Sequence, residues 1–328
     1  MTATETWASS GEAPIAISVR RSGADRVYRA VAYGAGSSTL ILMAIIGAFL
    51  LVKAWPALHA IGFKFFTQSQ WIPQSGTFGI TGILLGTVLI AGVALVLAVP
   101  VATLAALFIT EYAPRRLKRP ITWLIDVLAA VPSLIYGLWG RSFLQPRILG
   151  LSKWLATHLG FIPFFQSPKD ASFPASTFIA GVVVALMIVP ICTAVMREVF
   201  SQAPSGEKEG ALALGGTKWG VVRDVVIPFG RGGMIGGAML GLGRALGETI
   251  AVTLIISPAF EPGRLIHILP TGGNSIASLI ALRFGESNDF GISALMAAGL
   301  TLFVLTLIVN AMASAIVARS RSGSATEI

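Results

Sequence analysis

The chain has 328 residues, of which 24 are basic and 15 acidic, so charged residues make up 12% against about 25% in soluble domains. Hydrophobic residues make up 54% and the mean hydropathy is +0.78. This composition excludes a soluble enzyme, a disordered chain and a nucleic-acid-binding domain, and leaves an integral membrane protein. The net charge of +9 then reads as membrane topology. A single cysteine, Cys192, excludes a disulfide framework within the chain. The three histidines, His59, His158 and His267, lack metal-ligand spacing.

Charge-free runs at 30–52, 65–110, 171–196 and 290–318 locate four spans, because about 20 apolar residues cross a bilayer core. Two further apolar segments carry internal charges: 120–140 contains Asp126, and 232–256 contains Arg244 and Glu248. The pattern predicts six transmembrane helices, near 31–53, 82–110, 121–140, 176–198, 232–256 and 292–317. The expected fold class is all-α and integral to the membrane.

Alternating these spans sorts the basic residues. One side carries Arg20, Arg21, Arg26 and Arg29, then Arg115, Arg116, Lys118 and Arg119. It also carries Arg197, Lys208, Lys218, Arg223 and Arg231, and finally Arg319 and Arg321. The other side carries Lys53, Lys64, Arg141, Arg147, Lys153, Lys169, Arg264 and Arg283. Fifteen against eight places both termini in the cytoplasm by the positive-inside rule. Trp55, Trp123 and Trp139 fall at span ends, as in an aromatic belt. Residues 1–29 read as a mobile cytoplasmic tail without a signal-peptide core, 30–318 as the membrane domain, and 319–328 as a second cytoplasmic tail.

The loop at 199–231 mixes charge with apolar pattern. Ser205 is a candidate N-cap, Glu207 and Glu209 suit a helix N-terminus, and Gly215-Gly216 stop that helix. Thr217 caps a second helix, whose Val221, Val222, Val225 and Val226 form an apolar face and which Pro228 is expected to end. The run Gly210-x4-Gly215-Gly216-Thr217 is not a phosphate loop: Lys218 is misplaced and no strand precedes it.

Charges within a bilayer mark function by default. Arg244 and Glu248 are four residues apart, so on a continuous helix they share a face. That face continues the stripe Gly233, Gly237 and Gly241, which permits close helix contact. Two readings stand: a buried ion pair that fixes packing, or an Arg244 fork that binds an oxyanion while Glu248 neutralises it in the empty path. Asp126, Ala130, Ser133 and Gly137 would likewise share one face of an unbroken third span. Pro132 is a potential kink there. Ser133, at about the depth of Arg244, and Tyr136 are candidates for the same path or for packing. Asp126 is expected to be structural, paired with Arg116 or Arg119. The outer run Phe161-Ile-Pro-Phe-Phe165 reads as an interfacial segment or a cap on the pathway.

Several motifs carry a family resemblance. Glu209-Gly-Ala211-x3-Gly215-x9-Val225-x-Ile227-Pro228 resembles the EAA loop of bacterial ABC-importer permeases. It departs at Gly210, where alanine is usual, and at Ile227, where leucine is usual. Phe78-Gly-Ile-Thr-Gly82, Thr110-Glu-Tyr-Ala-Pro114, Leu128-Ala-Ala-Val-Pro-Ser-Leu-Ile-Tyr-Gly-Leu-Trp-Gly140 and Gly243-Arg-Ala-Leu-Gly-Glu-Thr249 are similar to the permeases of the phosphate-specific transport system. This resemblance implies the type I importer permease fold with cytoplasmic coupling helices. It implies transport of inorganic phosphate rather than enzymatic catalysis, in the bacterial cytoplasmic membrane. Its partners would be a second, PstA-like permease, a PstB-like ATPase dimer holding ATP and Mg, and a PstS-like phosphate-binding protein. No cofactor or metal is expected in this chain. Glu209, Ala211, Gly215 and Trp219 would dock the ATPase. Arg244, Glu248, Ser133 and Tyr136 would line the substrate path, and Asp126, Gly237, Gly241 and Pro228 would be structural. A permease for sulfate, molybdate or phosphonate, or a self-powered carrier, are the alternatives.

Overall fold

The computed structural model describes residues 23–168, 170–256 and 266–321, without the side chains of Gln74 and of 317–321. Arg20, Arg21, Lys169 and Arg264, which enter the topology argument, lie outside the described residues. So do the ends of both tails and the side chains of Arg319 and Arg321. The chain divides into two compact units, Met1–Phe49 and Leu50–Ile328.

The first unit is described from Gly23 and consists of the opening part of helix α1, Gly23–Ile61. Its apolar side chains, among them Leu40, Ile41, Ile45 and Phe49, are exposed, as suits a span whose solvent is lipid.

In the second unit, the end of α1 leads through a short turn of helix, α2 (Lys64–Thr67), to a two-stranded hairpin, β1 (Trp71–Ile72) and β2 (Thr77–Phe78). Trp71 and Phe78 face each other in register, with ring centroids 5.1 Å apart, edge to face. With Ala54, Ala57, Phe65, Ile80 and Ile83 they form a small core against Ile276, Leu279 and Leu295.

The main core is a three-helix packing of α3 (Thr81–Leu107), α7 (Thr177–Ser201) and α10 (Ile227–Leu246). Ile90, Ala94, Ala98, Ala102 and Ala106 recur every four residues along α3 and are all buried. Lipid tails are as apolar as leucine, so helices gain little by hiding apolar surface from them. Small residues that let backbones approach instead give contact area. The glycines of α10 do the same against α7. A Cβ at Gly233 would meet Val199, one at Gly237 would lie 3.2 Å from the Cys192 carbonyl, and one at Gly241 would lie 2.6 Å from the Cys192 sulfur. The Cys192 thiol donates to the Gly237 carbonyl at 3.2 Å. The predicted glycine stripe is therefore a helix contact.

Among the described residues, five helices are long and apolar enough to cross a membrane, and a sixth span results when one bent pair counts as one. The spans are Gly23–Ile61, Thr81–Tyr112, Thr177–Ser201, Lys218–Leu246 and Asp289–Ile316, with Arg115–Ala130 and Ser133–His158 as the bent pair. The last straight span belongs to α13, Asp289–Arg321.

Three expectations change. The third span is not one straight helix: α4 (Arg115–Ala130) and the helix opening with α5 (Ser133–Trp139) meet at 89°. Val131 and Pro132 take extended backbone, and proline both lacks a donor and disfavours helix at the residue before it. The shared face of Asp126, Ala130, Ser133 and Gly137 is thereby lost. Pro228 does not end the loop's second helix. A π turn at Val222–Val226 joins α9 (Lys218–Val221) to α10, with Pro228 at the first turn of α10. The widened turn relieves the clash a proline ring makes one turn back, so loop helix and span are one helix, Lys218–Leu246. Finally, the span drawn to 256 stops at Leu246, and α11 (Ile250–Ile255) starts afresh.

Candidate transport path and docking loop

The break at Gly247–Thr249 sets the geometry around the intramembrane charges. The ladder of α10 tightens at its end, where the Glu248 amide donates back only three residues, to Ala245 at 3.4 Å. Gly247 forms the C-cap. Arg244 falls in the last turn of α10, where a cation is favoured by the unpaired carbonyls of a helix C-terminus. Irregular backbone at membrane depth is tolerated only where it is buried in protein or lines a cavity.

The expected side-by-side pair does not form. Glu248 is 8% exposed and its Oε1 accepts the Ala251 amide at 3.0 Å, capping α11. Among the described residues no ion pair joins it to Arg244. The i, i+4 relation needs a continuous helix, and the helix ends between the two residues. Arg244 is exposed in the single chain and lies within electrostatic reach of the Tyr136 hydroxyl.

Tyr136 comes from α5, whose Gly137 lets the backbone of α11 approach. A Cβ at Gly137 would lie 2.9 Å from the Ala251 Cα. The Tyr136 hydroxyl donates to the Leu128 carbonyl at 3.0 Å. Leu128 stands four residues before Pro132, so its carbonyl loses the amide of a continuous helix and accepts instead the Val131 amide at 3.3 Å. The tyrosine thus clasps the bend. Ser133 is the half-buried first residue of α5, three residues before Tyr136 and hence beside it on α5. The structure therefore leaves Arg244 within electrostatic reach of Tyr136, which has Ser133 one turn before it on α5, and uses Glu248 as a cap. Asp126 is exposed and shares a shallow cleft with Lys118, Arg119, Thr122 and Trp123. The expected ion pair with Arg116 or Arg119 is not formed.

The loop forms as two helices. α8 (Ser205–Ala213) begins after Pro204, so Ser205 is its first residue and not its cap. Gly215 takes φ +84°, the left-handed conformation glycine adopts without strain, and the Gly216 amide donates to the Ala211 carbonyl at 3.0 Å. The Thr217 hydroxyl accepts the Gly220 amide at 3.1 Å, the predicted cap. Val221, Val222 and Val226 are buried, and Ala211 packs against the same core. Glu209 is exposed, as are Leu212, Leu214 and Trp219, the last two at 91% and 58%. Large apolar side chains thus stand exposed at the tip of a polar loop.

Glu111 and Lys208 were missed in the sequence. They form an ion pair at 2.8 Å, with side chains 14% and 21% exposed. The signal was available: an acid closes a 46-residue charge-free run at 65–110, inside Thr110-Glu-Tyr-Ala-Pro114. The run 161–165 forms a 3-10 turn, Pro163–Phe165, beside an apolar cleft of about 440 Å³ lined by Val93, Phe164, Phe165 and Phe178.

Comparison with known proteins agrees with this architecture. The profile of the family described as "Binding-protein-dependent transport system inner membrane component" matches residues 98–322. The phosphate transport system permease protein PstC 2 of Mycobacterium tuberculosis is 45% identical over 297 residues, covering 89% of this chain and 91% of the relative. Phosphate transport system permease protein PstC of Haemophilus influenzae is 43% identical over 274 residues, covering 82% and 85%. A solved bacterial alginate ABC transporter, in complex with its alginate-bound periplasmic protein, matches 93% of this chain and 99% of its own at a TM-score of 0.59 and 15% identity, a likeness of fold alone. The chain is a multi-pass membrane permease and belongs to the family of inner membrane components of binding-protein-dependent transport systems.

Proposed function

We propose that this chain is the PstC-type half of the transmembrane path of an ATP-driven importer of inorganic phosphate. The observation that carries the reading is the placement of Arg244 at the end of α10, at a helix break within an apolar span, exposed and not ion-paired with Glu248. A guanidinium offers a planar fork of donors that matches phosphate oxygens, and a desolvated site strengthens it. The names of the two relatives above, phosphate transport system permeases, favour phosphate over sulfate, molybdate or phosphonate.

In this reading, both termini and the 199–231 loop face the cytoplasm. The N-terminal tail 1–29 and the short tail 319–328 flank the permease domain, 30–318. A PstA-like permease completes the path, and a PstS-like protein delivers phosphate at the outer face. A PstB-like ATPase dimer, which binds ATP and Mg, docks on Glu209, Ala211, Gly215 and Trp219. This chain performs no hydrolysis and holds no cofactor. ATP-driven closure of the ATPase moves α8 and α9. Because α9 and α10 are one helix, Lys218–Leu246, displacement at Trp219 reaches Arg244 without a flexible joint. Phosphate held by Arg244 then passes from outward to inward access.

The test is uptake of labelled phosphate by the full complex, with sulfate and molybdate as competitors. Arg244→Gln is expected to abolish uptake while the complex still assembles. Normal uptake by Arg244→Gln would remove the arginine from the path, and equal competition by sulfate would remove phosphate specificity.

A further inference from the structure

The π turn that closes α3, Phe108–Tyr112, gathers lysines from three separate elements of the cytoplasmic side. The Lys208 ammonium of α8 meets the Glu111 carboxylate at 2.8 Å. The Lys218 ammonium, at the first turn of α9, lies 5.0 Å from the centre of the Tyr112 ring. The Lys118 ammonium of α4 donates to the Thr110 carbonyl. Consecutive residues of one motif therefore hold both halves of the docking loop and the start of the bent span. The Glu111–Lys208 pair is the strongest of the three. Its side chains are only 14% and 21% exposed, so salt screens it less than a surface pair. A charge left half-buried without its partner is costly.

This matters because α8 has no covalent continuation into a span of its own kind. α9 runs straight into α10, but α8 is separated from α7 by a turn at Gln202–Pro204 and from α9 by Leu214–Gly216. Its motion reaches the membrane through side-chain contacts. α3, whose buried alanine face lies against α7, is the element it grips.

We propose that Glu111 is a positioning residue for transport: through Lys208 it locks α8 to the end of α3, so that the helix and the docking loop move as one body when the ATPase closes. This rests on the importer reading above. π turns recur at functional sites in helices, and here the widened turn carries the gripping residues. The loop has two routes into the membrane: α9 drives α10 directly, and α8 drives α3 through Glu111.

The test uses the complete complex with its ATPase and binding protein. Spin labels go on α8 at Gly206→Cys, where added side-chain atoms meet nothing within 4 Å, and on α3 at Leu104→Cys, which is 68% exposed; Cys192→Ser removes the native thiol. The inter-label distance is expected to stay constant between the nucleotide-free and vanadate-trapped states. With Glu111→Gln it is expected to change between them, and phosphate moved per ATP hydrolysed is expected to fall about tenfold with hydrolysis retained. Lys208→Gln is expected to do the same, and the swap Glu111→Lys with Lys208→Glu to restore most of the ratio. A distance that already changes without Glu111→Gln, or that Glu111→Gln leaves constant, overturns the proposal. So does a parallel loss of hydrolysis and transport in an assembled variant that the swap does not rescue. Constant distances in a complex that moves no phosphate sink the substrate reading alone, and a chain that binds no ATPase sinks both.

Discussion

The Tyr136 hydroxyl reaches back over the 89° bend and donates to the Leu128 carbonyl at 3.0 Å. The same carbonyl also accepts the Val131 amide at 3.3 Å, so the tyrosine adds a second donor there and joins the two helices of the bent pair without a continuous backbone ladder. Removing the hydroxyl leaves that carbonyl with the Val131 amide alone, a cost of about 0.5–1.5 kcal/mol. Tyr136→Phe is therefore predicted to lower the thermal unfolding midpoint of the purified complex by a few degrees and to reduce phosphate uptake several-fold, because the bend it fixes carries Ser133 and Tyr136 of the proposed path. Thermal melts in detergent and uptake in vesicles measure the two effects. An unchanged midpoint would remove the clasp.

A second prediction concerns the contact of α7 with α10. A Cβ at Gly241 would stand 2.6 Å from the Cys192 sulfur, closer than real atoms approach. Overpacking of this kind costs about 1–3 kcal/mol. Gly241→Ala is predicted to destabilise the complex by that amount, and adding Cys192→Ala, which removes the clashing sulfur, to restore most of it. Cys192→Ala alone loses the thiol bond to the Gly237 carbonyl and leaves a small void, so its effect should be modest. The double-mutant cycle, read by thermal stability, isolates the coupling. Additive effects would show that the two helices separate more easily than their spacing implies.

The role of Glu248 can be split by choice of substitution. Its carboxylate accepts the Ala251 amide at 3.0 Å, and a glutamine carbonyl can take the same bond. Glu248→Gln is predicted to assemble and to keep near-native stability, whereas Glu248→Ala loses the cap, at about 0.5–2 kcal/mol. If the residue instead served to neutralise Arg244, Glu248→Gln and Glu248→Ala would be equally damaging to stability. Comparing the two melts decides between them.

Much of the site was legible because its signals were local. The loop's turn needed only Gly215 and Thr217, and both play their expected parts. The glycine stripe of α10 needed only helical periodicity. Two of the errors share a cause: each assumed that an apolar run is one uninterrupted helix. Apolar composition is satisfied equally by an intact span and by a broken one in which protein covers the break, so the 89° bend and the stop at Leu246 left no mark on hydropathy. Pro132 flagged the first as a kink, without its size. Gly247 and Thr249 are weak helix residues, but one glycine among many in α10 carried little information. Pro228 misled in the other direction, because a π turn can absorb a proline at no visible cost in sequence. The Glu111–Lys208 pair joins residues 97 apart, a tertiary contact that no periodicity encodes.

The last prediction tests the docking surface apart from the substrate path. Trp219 is 58% exposed and Leu214 91% exposed on a loop whose other face is buried, so their apolar area has nothing to gain from this chain's own fold. Exposed tryptophan at the centre of an interface is the residue type whose truncation costs most, often 2 kcal/mol or more, which is about a 30-fold loss of affinity. Trp219→Ala is predicted to weaken ATPase binding by that factor, leaving the permease stable and inserted. Trp154→Ala, a tryptophan of similar exposure at 51% on α6 (Gln145–His158), should leave ATPase binding unchanged. Gly215→Ala should act differently: at φ +84° a side chain strains the turn by about 1–2 kcal/mol. It would tilt α8 against α9, weakening binding without removing any contact atom. Titration of the ATPase against the permease in nanodiscs reads all three. Equal binding by Trp219→Ala and the unsubstituted chain would move the docking surface elsewhere on the loop.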